Sequence, residues 1–425
     1  MQKKLIALAV AGLVSGGAFA QSNVTIYGIV DVGVESGNSG YGSKLRVQSG
    51  QSAGNRIGFR GEENLGNGIT AFFNLEQGFL LDNGQGSSNG SLTQGSGAAS
   101  AGGATFASGN SGMNVAQTNS GSYVFNRLAI AGIKGSFGTV QIGRQYSPTF
   151  AVRAAVDTSA LGTAASMATS NPGTVDRLDN AVMYMSPNMS GFMVGVGYTS
   201  GTENNTNANV FGAACSNAAT AAAGDLCNDK SGRGWGLLGT YANGPVYVGL
   251  AHHRVRTAAT PAAAVALGGG DVPDARQWQL GATYDFGVAK LAGLWGSHKV
   301  TISGMVHPFN GDLANDARGW ALGVSVPMGA HKFIVNLGAQ NDKLVADKDF
   351  KFYGVGYEYA MSKRTNLYAA YARVNNDDRA AGGGAGTVAG SALATGLMVT
   401  NPIAAGGSLG NYDPSALQFG MKHSF

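Results

Sequence analysis

Side chains along much of this chain alternate between apolar and polar with a period of two. From Val24 to Glu35, residues Val24, Ile26, Val30, Val32 and Val34 share one face, while Thr25, Asp31 and Glu35 share the other. From Ile69 to Glu76, residues Ile69, Ala71, Phe73 and Leu75 alternate with Thr70, Asn74 and Glu76. Near the end, Leu417, Phe419, Met421 and Phe425 alternate with Gln418, Gly420, Lys422 and Ser424. A helix would repeat its apolar positions at three and four, so the pattern predicts strands, each about ten residues long.

Two kinds of connection separate these strands. Short, Gly- and Asn-bearing turns are expected at Gly61–Gly68, Gly135–Gly138, Ser186–Gly191, Asn243–Gly244, Asp285–Val288, Pro327–His331 and Met361–Thr365. Gly and Asn there supply the positive φ that hairpins need. Long connections are expected near 36–48, 83–121, 148–176, 201–231, 257–274, 302–316, 343–349 and 378–412. These fifteen connections imply sixteen strands, with both chain ends on the short-turn side. The expected fold is all-β, a 16-stranded antiparallel transmembrane barrel occupying 21–425. Unstructured stretches of this length argue against a compact soluble domain, but loops on one rim of a closed barrel can lengthen freely. A soluble β-solenoid would show a fixed short repeat, and none is found.

Composition agrees. The chain has 68 glycines and is 44% hydrophobic, yet outside its N-terminus no stretch reaches the apolar length of a spanning helix. Residues 83–121 are low-complexity and too poor in apolar side chains to order themselves. Aromatic residues fall at strand ends, where a barrel builds interfacial girdles: Tyr27, Phe59, Phe72, Phe73, Tyr184, Phe192, Tyr198, Tyr357, Tyr359, Tyr368 and Tyr371.

Residues 1–20 read as a secretory signal peptide: basic Lys3 and Lys4, an apolar run from Leu5 to Val14 broken only by Gly12, and the small-x-small site Ala18-Phe19-Ala20. Without Lys3 and Lys4 the chain keeps 26 of its 28 basic residues against 24 acidic ones. No polybasic cluster marks a nucleic-acid footprint. Export places Cys215 and Cys227 in an oxidising compartment, where a structural disulfide within a surface loop is expected. A metal would need more ligands than the neighbouring Asp225 and Asp229. No metal or cofactor is expected.

Five segments carry a family resemblance: NVTIYGIVDVGV, NRIGFRGEENLGNGITAFFNLEQGF, FNRLAIAGIKGSFGTVQIGRQYSP, NAVMYMSPNMSGFMVGVGY and the terminal FGMKHSF. Together they resemble the Gram-negative general porins of the β-proteobacterial type. Glu62-Glu63 stands where that family usually has Glu-Asp, and the loop before Tyr123 is enlarged. The resemblance implies an outer-membrane homotrimer of water-filled pores passing small hydrophilic solutes and ions. It also implies that the loop at 148–176 folds inward, setting acidic groups against basic ones on the wall. The terminal Phe425 resembles the signal read by the barrel-assembly machinery.

Phase marks the expected constriction. With Ile57 and Phe59 facing lipid, Arg56, Gly58 and Arg60 face the lumen, and so do Asn74 and Glu76. Val182 and Tyr184 facing out would turn Arg177, Asp179, Ala181 and Met183 inward. An arginine or lysine at mid-depth on the lipid face costs about 2–4 kcal/mol, which favours inward placement. Arg127 reaches the pore wall by the family motif, since its phase, shared with Phe125 and Ala129, does not decide. The expected set is Arg56, Arg127 and Arg177 as the basic wall, Glu76 as acidic neighbour and Asp157 as the opposing charge, with Arg153 and Arg144 in reserve. Some of these could instead pair to hold the loop against the wall. Three arginines against few acids predict weak anion preference.

Two rivals are weaker. A barrel enzyme is suggested by Gly-x-Ser-x-Gly at Gly50–Gly54 and Gly86–Gly90, but no helix follows either copy to make a nucleophile elbow. The six histidines lack His-Glu-x-x-His spacing, and adjacent His252 and His253 point to opposite faces of a strand. A sugar-selective porin would need a lumen-phase aromatic track, which is not found.

Overall fold

The computed structural model describes residues 23–38, 43–84, 86, 124–172, 176–200, 233–256, 274–301, 313–343, 349–376 and 413–425. The expected signal peptide at 1–20, Cys215 and Cys227, and nearly all of 83–121 lie outside the described residues.

The strands are β1 (Asn23–Asn38), β2 (Ser43–Ser49), β3 (Arg56–Gly66), β4 (Ile69–Gly78), β5 (Leu128–Gly135), β6 (Gly138–Tyr146), β7 (Arg177–Met185), β8 (Phe192–Ser200) and β9 (Arg233–Asn243). They continue as β10 (Val246–Arg256), β11 (Asp274–Asp285), β12 (Lys290–Thr301), β13 (Leu313–Met328), β14 (His331–Asp342), β15 (Phe350–Ala360), β16 (Thr365–Asn376) and β17 (Ser415–Ser424). Between β6 and β7 lie helix α1 (Pro148–Val156) and a 3-10 turn (Met167–Ser170).

Successive strands pair antiparallel, and β17 pairs with β1 from Ile29↔Ser424 to Asn38↔Ser415, so the sheet closes. Both β2 and β3 pair with β1, the first over Val32–Asn38 and the second over Asn23–Ile29. They are two halves of one stave interrupted at 50–55, which reduces seventeen strands to sixteen staves. Closure leaves no unpaired edge, the condition for strands to cross a bilayer.

Six short turns fall where the sequence places them. The first is tighter than expected. Gly61–Asn64 stays in the ladder opposite Thr70–Phe73, and only Asn67-Gly68, both at positive φ, turn the chain. The first long connection also shrinks: Ser36–Asn38 and Ser43–Leu45, expected within a loop, pair with each other, and Arg46–Gln48 pair with Gly33–Glu35. Polar, Gly-rich composition weakens a strand but does not prevent it when a neighbour supplies the ladder bonds.

The two faces of the wall invert the soluble-protein rule. Outward positions are exposed and apolar: Val194 and Val196 on β8, Leu280 on β11, Leu322 and Val324 on β13, Val335 and Leu337 on β14. Inward positions include fully buried Asp31, Glu35, Gln279, Asn336 and Gln418. Apolar surface turned outward around a polar interior suits a hydrocarbon surround. Outward aromatic rings flank this band, Phe192, Tyr284 and Phe333 toward the short turns and Trp235, Trp278 and Trp320 toward the long connections. Three expected girdle residues belong elsewhere, and one of them, Phe72, shares the inward phase of Asn74 and Glu76, its ring 5.9 Å from Lys134 Nζ. Tyr27 and Tyr368 point inward, to Asn74 and Glu76 and to Asp31 and Gln51, because their phase matches the polar row.

Candidate functional site

The segment joining β6 to β7 lies against the inner wall. Ser147 caps α1, its hydroxyl accepting from Phe150 N at 3.2 Å, and Pro148 occupies the first turn, where its missing N–H costs nothing. Val152 packs with Leu238 and Ala251, and Val156 with Ala292, Leu294 and Ala321. Further on, Thr158 Oγ1 donates to Asn336 Oδ1 at 2.6 Å, and Ala164 N donates to Gln418 Oε1 at 2.8 Å. The chain then returns, and Asn171 Nδ2 donates to Gln279 Oε1 at 2.8 Å. The segment thus runs out from β9 to β17 and back.

Glycine makes that close approach possible. A Cβ on Gly319 would lie 1.8 Å from Ser170 O, and one on Gly354 would lie 2.6 Å from the Ala165 Cα. Both sit at inward positions of β13 and β15, where any side chain would push the segment off the wall.

Asp157 holds the segment's own fold. Its carboxylate accepts from Ser166 Oγ at 2.5 Å, Ser159 N at 2.7 Å and Ala168 N at 3.2 Å, across the tip where Ala160 and Leu161 have positive φ. Burial pushes this carboxyl above its ordinary range, and the hydrogen bonds offset part of the rise. Asp157 was expected to oppose the basic wall across the pore; the structure sets it inside the segment, 8% exposed and surrounded by local donors. Arg153 is likewise occupied, paired with Asp176 in a contact where both side chains are buried. That is the loop-holding alternative.

Arg56, Glu76, Arg127 and Arg177 come together on the inner side of β3–β7. Arg127 precedes β5, so strand phase does not govern it. Its Nε lies 3.3 Å from Glu76 Oε2, and its Nη2 donates to Tyr146 Oη at 3.1 Å. Arg177 Cζ lies 4.9 Å from the Tyr146 ring centroid. Arg56 donates from Nε to Gly54 O at 3.0 Å and sits in the field of Arg127, Tyr146 and Glu76. Tyr27 completes the group, donating to Asn74 Oδ1 at 2.6 Å and Glu76 Oε1 at 2.9 Å beneath the Arg60 guanidinium. Arg127 and Tyr27 therefore engage the Glu76 carboxylate, while Arg56 and Arg177 lie in the field of Arg127, and Arg177 also in that of Asp176.

Arg144 lies apart from that group, bonded to Asn126 O at 2.7 Å and to Asp179. Asp179 was expected to share a face with Ala181. The positive φ of Asn180 breaks the alternation there, and Leu178 packs beside Ala181 and Val255 instead.

Sequence reasoning missed Tyr146, the ring that organises the cluster. It stacks on Phe150 at 4.3 Å and 6°, and Phe150 in turn lies beneath Arg153, so one ladder links wall and segment. The register shift between Gly143 and Gln145, with Gly143 at φ 120°, sets its direction, and alternation cannot anticipate a shift of phase. Asp176 was also missed, for lack of any pattern around it.

A second inner network closes the seam. Asp31 accepts from Tyr368 Oη at 2.6 Å and from the Ser52 and Ala53 amides, while Glu35 accepts from Arg46 and Gln418. The first Gly-x-Ser-x-Gly copy is therefore part of a barrel joint. Phe425 ends the chain with its N–H and C=O bonded to Gly28 at 3.1 Å each. His253 is buried on the inner face against Thr149, and His252 lies on the outer face between Trp235 and Trp278. Among the described residues no group of three or more His, Cys, Asp or Glu side chains could hold a metal ion.

Comparison with known proteins gives concordant matches. The model of the Gram-negative porin family matches residues 7–379. Outer membrane porin protein 32 of Delftia acidovorans is 30% identical over the whole of both chains. An outer membrane porin protein of Bordetella pertussis is 28% identical, over 87% of this chain and 93% of its own. Among solved structures, the anion-selective porin from Comamonas acidovorans superposes with a TM-score of 0.67 at 24% identity, covering 95% of this chain and all of its own. The trimer form of OmpT from Vibrio cholerae superposes at 0.59 with 13% identity, over 95% and 99% of the two chains.

Proposed function

This chain belongs to the Gram-negative porin family, and from that premise we propose that its arginine cluster gives the pore a weak preference for anions. The protein is a general diffusion porin of the Gram-negative outer membrane, not an enzyme, and passes small hydrophilic solutes and ions through a barrel. What supports the charge preference is the gathering of Arg56, Arg127 and Arg177 about Tyr146, with Glu76 beside Arg127 and Asp176 beside Arg177. Fixed positive charge beside a narrowed aqueous path raises the local concentration of anions and lowers that of cations. Asp157, Arg153 and Arg144 act differently in this reading. The first two hold the inner segment, and Arg144 ties β6 to β7 through Asp179.

The test is the reversal potential of single channels in a salt gradient. The native protein should show the anion-preferring sign, and Arg56→Glu should move the potential toward cations while leaving the barrel folded. A cation-preferring native channel would overturn the reading.

The anion-selective character is that of the Comamonas acidovorans protein; here it is proposed on the chain's own arginines. Four further assignments belong to the same reading. Residues 1–20 are removed on export, with Cys215 and Cys227 bridged afterwards. Three copies assemble. Phe425 is read by the assembly machinery before it takes its place beside Gly28, as the last rung of the closed ladder.

A further inference from the structure

Two arginines of the inner wall rest on rings rather than on acids. Arg177 opens β7 directly opposite Tyr146, the last residue of β6. Its Cζ lies 4.9 Å from the Tyr146 ring centroid, within the range at which a cation is attracted to a π face. Arg60 repeats the arrangement over Tyr27 at 5.2 Å. Among the described residues the ion pairs of this region are Arg127–Glu76, Arg144–Asp179 and Arg153–Asp176, and none includes Arg177 or Arg60. Nε and Nη1 of Arg177 are buried, and among the described residues neither has a hydrogen-bond partner. Buried donors without partners are costly, and the ring face is what this guanidinium has against it.

The kind of support matters to a pore. A guanidinium against a carboxylate forms a neutral pair whose field fades quickly with distance, whereas one against a neutral ring keeps its whole charge. Tyr146 serves Arg127 as well, its hydroxyl accepting from Nη2 at 3.1 Å, and it lies in the field of Arg56. One neutral side chain thus touches two of the three clustered arginines. Its ring is fixed in turn by Phe150, stacked at 4.3 Å and 6°, and Arg153 lies 5.3 Å from the Phe150 ring.

We propose that Tyr146 is the positioning residue that sets the ion preference, its π face and hydroxyl holding Arg177 and Arg127 together beside the aqueous path without neutralising Arg177. This rests on the anion-preferring reading of the cluster. The acids of the group would hold an arginine equally well, but each removes from the pore the charge that it fixes.

The experiment takes anion-to-cation permeability ratios from reversal potentials in a potassium chloride gradient. Single-channel conductance and the unfolding midpoint in detergent are read on the same preparations of the full-length barrel. Tyr146→Leu should lower the ratio to about half of the native value or less, because Arg177 loses its support. Tyr146→Phe keeps the π face and loses only the Arg127 bond, so most of the native ratio should return. Tyr146→Met keeps bulk against Phe150 without a π face, and it replaces the leucine variant if that one fails to assemble. Phe150→Leu breaks the same stack from the segment side. It should lower the unfolding midpoint and alter conductance, with a ratio closer to native than that of Tyr146→Leu. A native channel without anion preference would sink the reading of the cluster and this proposal with it. With that preference present, three results would overturn the role of Tyr146 alone: an unchanged ratio in Tyr146→Leu, or a loss of equal size in either Tyr146→Phe or Phe150→Leu.

Discussion

The inner wall of β11–β15 and the inner wall of β17 and β1–β4 follow the same alternation but fill it differently. On the first arc the inward positions are Gly281, Gly319, Gly338 and Gly354, with Ala292 and Ala321 between, and the returning segment packs onto them. On the second they are Asp31, Glu35, Arg56, Arg60, Glu76 and Lys422. A small side chain marks where protein must touch protein, and a charged one marks where water or an opposite charge must stay. The pore is narrowed from the first arc and charged from the second. In the proposed reading, stability and selectivity reside in different residues.

The largest effect expected from breaking this division is on the Arg153–Asp176 pair, which ties the segment's helix to the residue before β7. Removing one partner of a buried ion pair costs about 3–5 kcal/mol. Arg153→Ala should accordingly lower the thermal unfolding midpoint in detergent by several degrees, whereas Arg56→Ala should leave that midpoint nearly unchanged. If both behaved alike, the separation of roles would be lost.

A smaller effect is expected on the glycine arc itself. Gly319→Val forces a side chain into the space of the Ser170 carbonyl, and overpacking of this kind costs about 1–3 kcal/mol. The segment should loosen, and conductance in a planar bilayer should rise or become noisy. An unchanged single-channel trace would show that the segment does not depend on this contact.

The smallest effect separates Asp157 from the charged wall. Asp157→Ala leaves Ser166 Oγ and two amides without their acceptor, a loss of about 1–3 kcal/mol, while Asp157→Asn keeps one acceptor oxygen and should cost less. Neither variant should move the reversal potential. A shift toward anions as large as the opposite shift in Arg56→Glu would restore Asp157 to the gap.

Much of the barrel was legible because alternation is a local property. Val194 and Val196, or Leu322 and Val324, declare their face through their immediate neighbours, and Gly and Asn announce the short turns. Arg56 and Glu76 follow the same rule, since β3 and β4 keep strict phase through them. Where phase slips, legibility ends. The bulge at Gly143–Gln145 aims Tyr146, the left-handed Asn180 displaces Asp179, and Arg127 stands outside its strand altogether. Tyr27 and Tyr368 were misassigned because an aromatic at a strand end looks the same whether its hydroxyl meets a headgroup or a buried carboxylate.

By itself the sequence determined that this chain must be a closed wall with one apolar and one polar face, since every second side chain is committed to oil or to water. It also determined the number of staves, because each turn carries its own backbone signal. Only the tertiary structure decided where the segment after β6 lies, and hence that Asp157 and Arg153 secure it while Arg56, Arg127 and Arg177 stand together. Those arrangements join residues far apart in the chain, and no local preference can say which distant groups a closed cylinder will bring face to face.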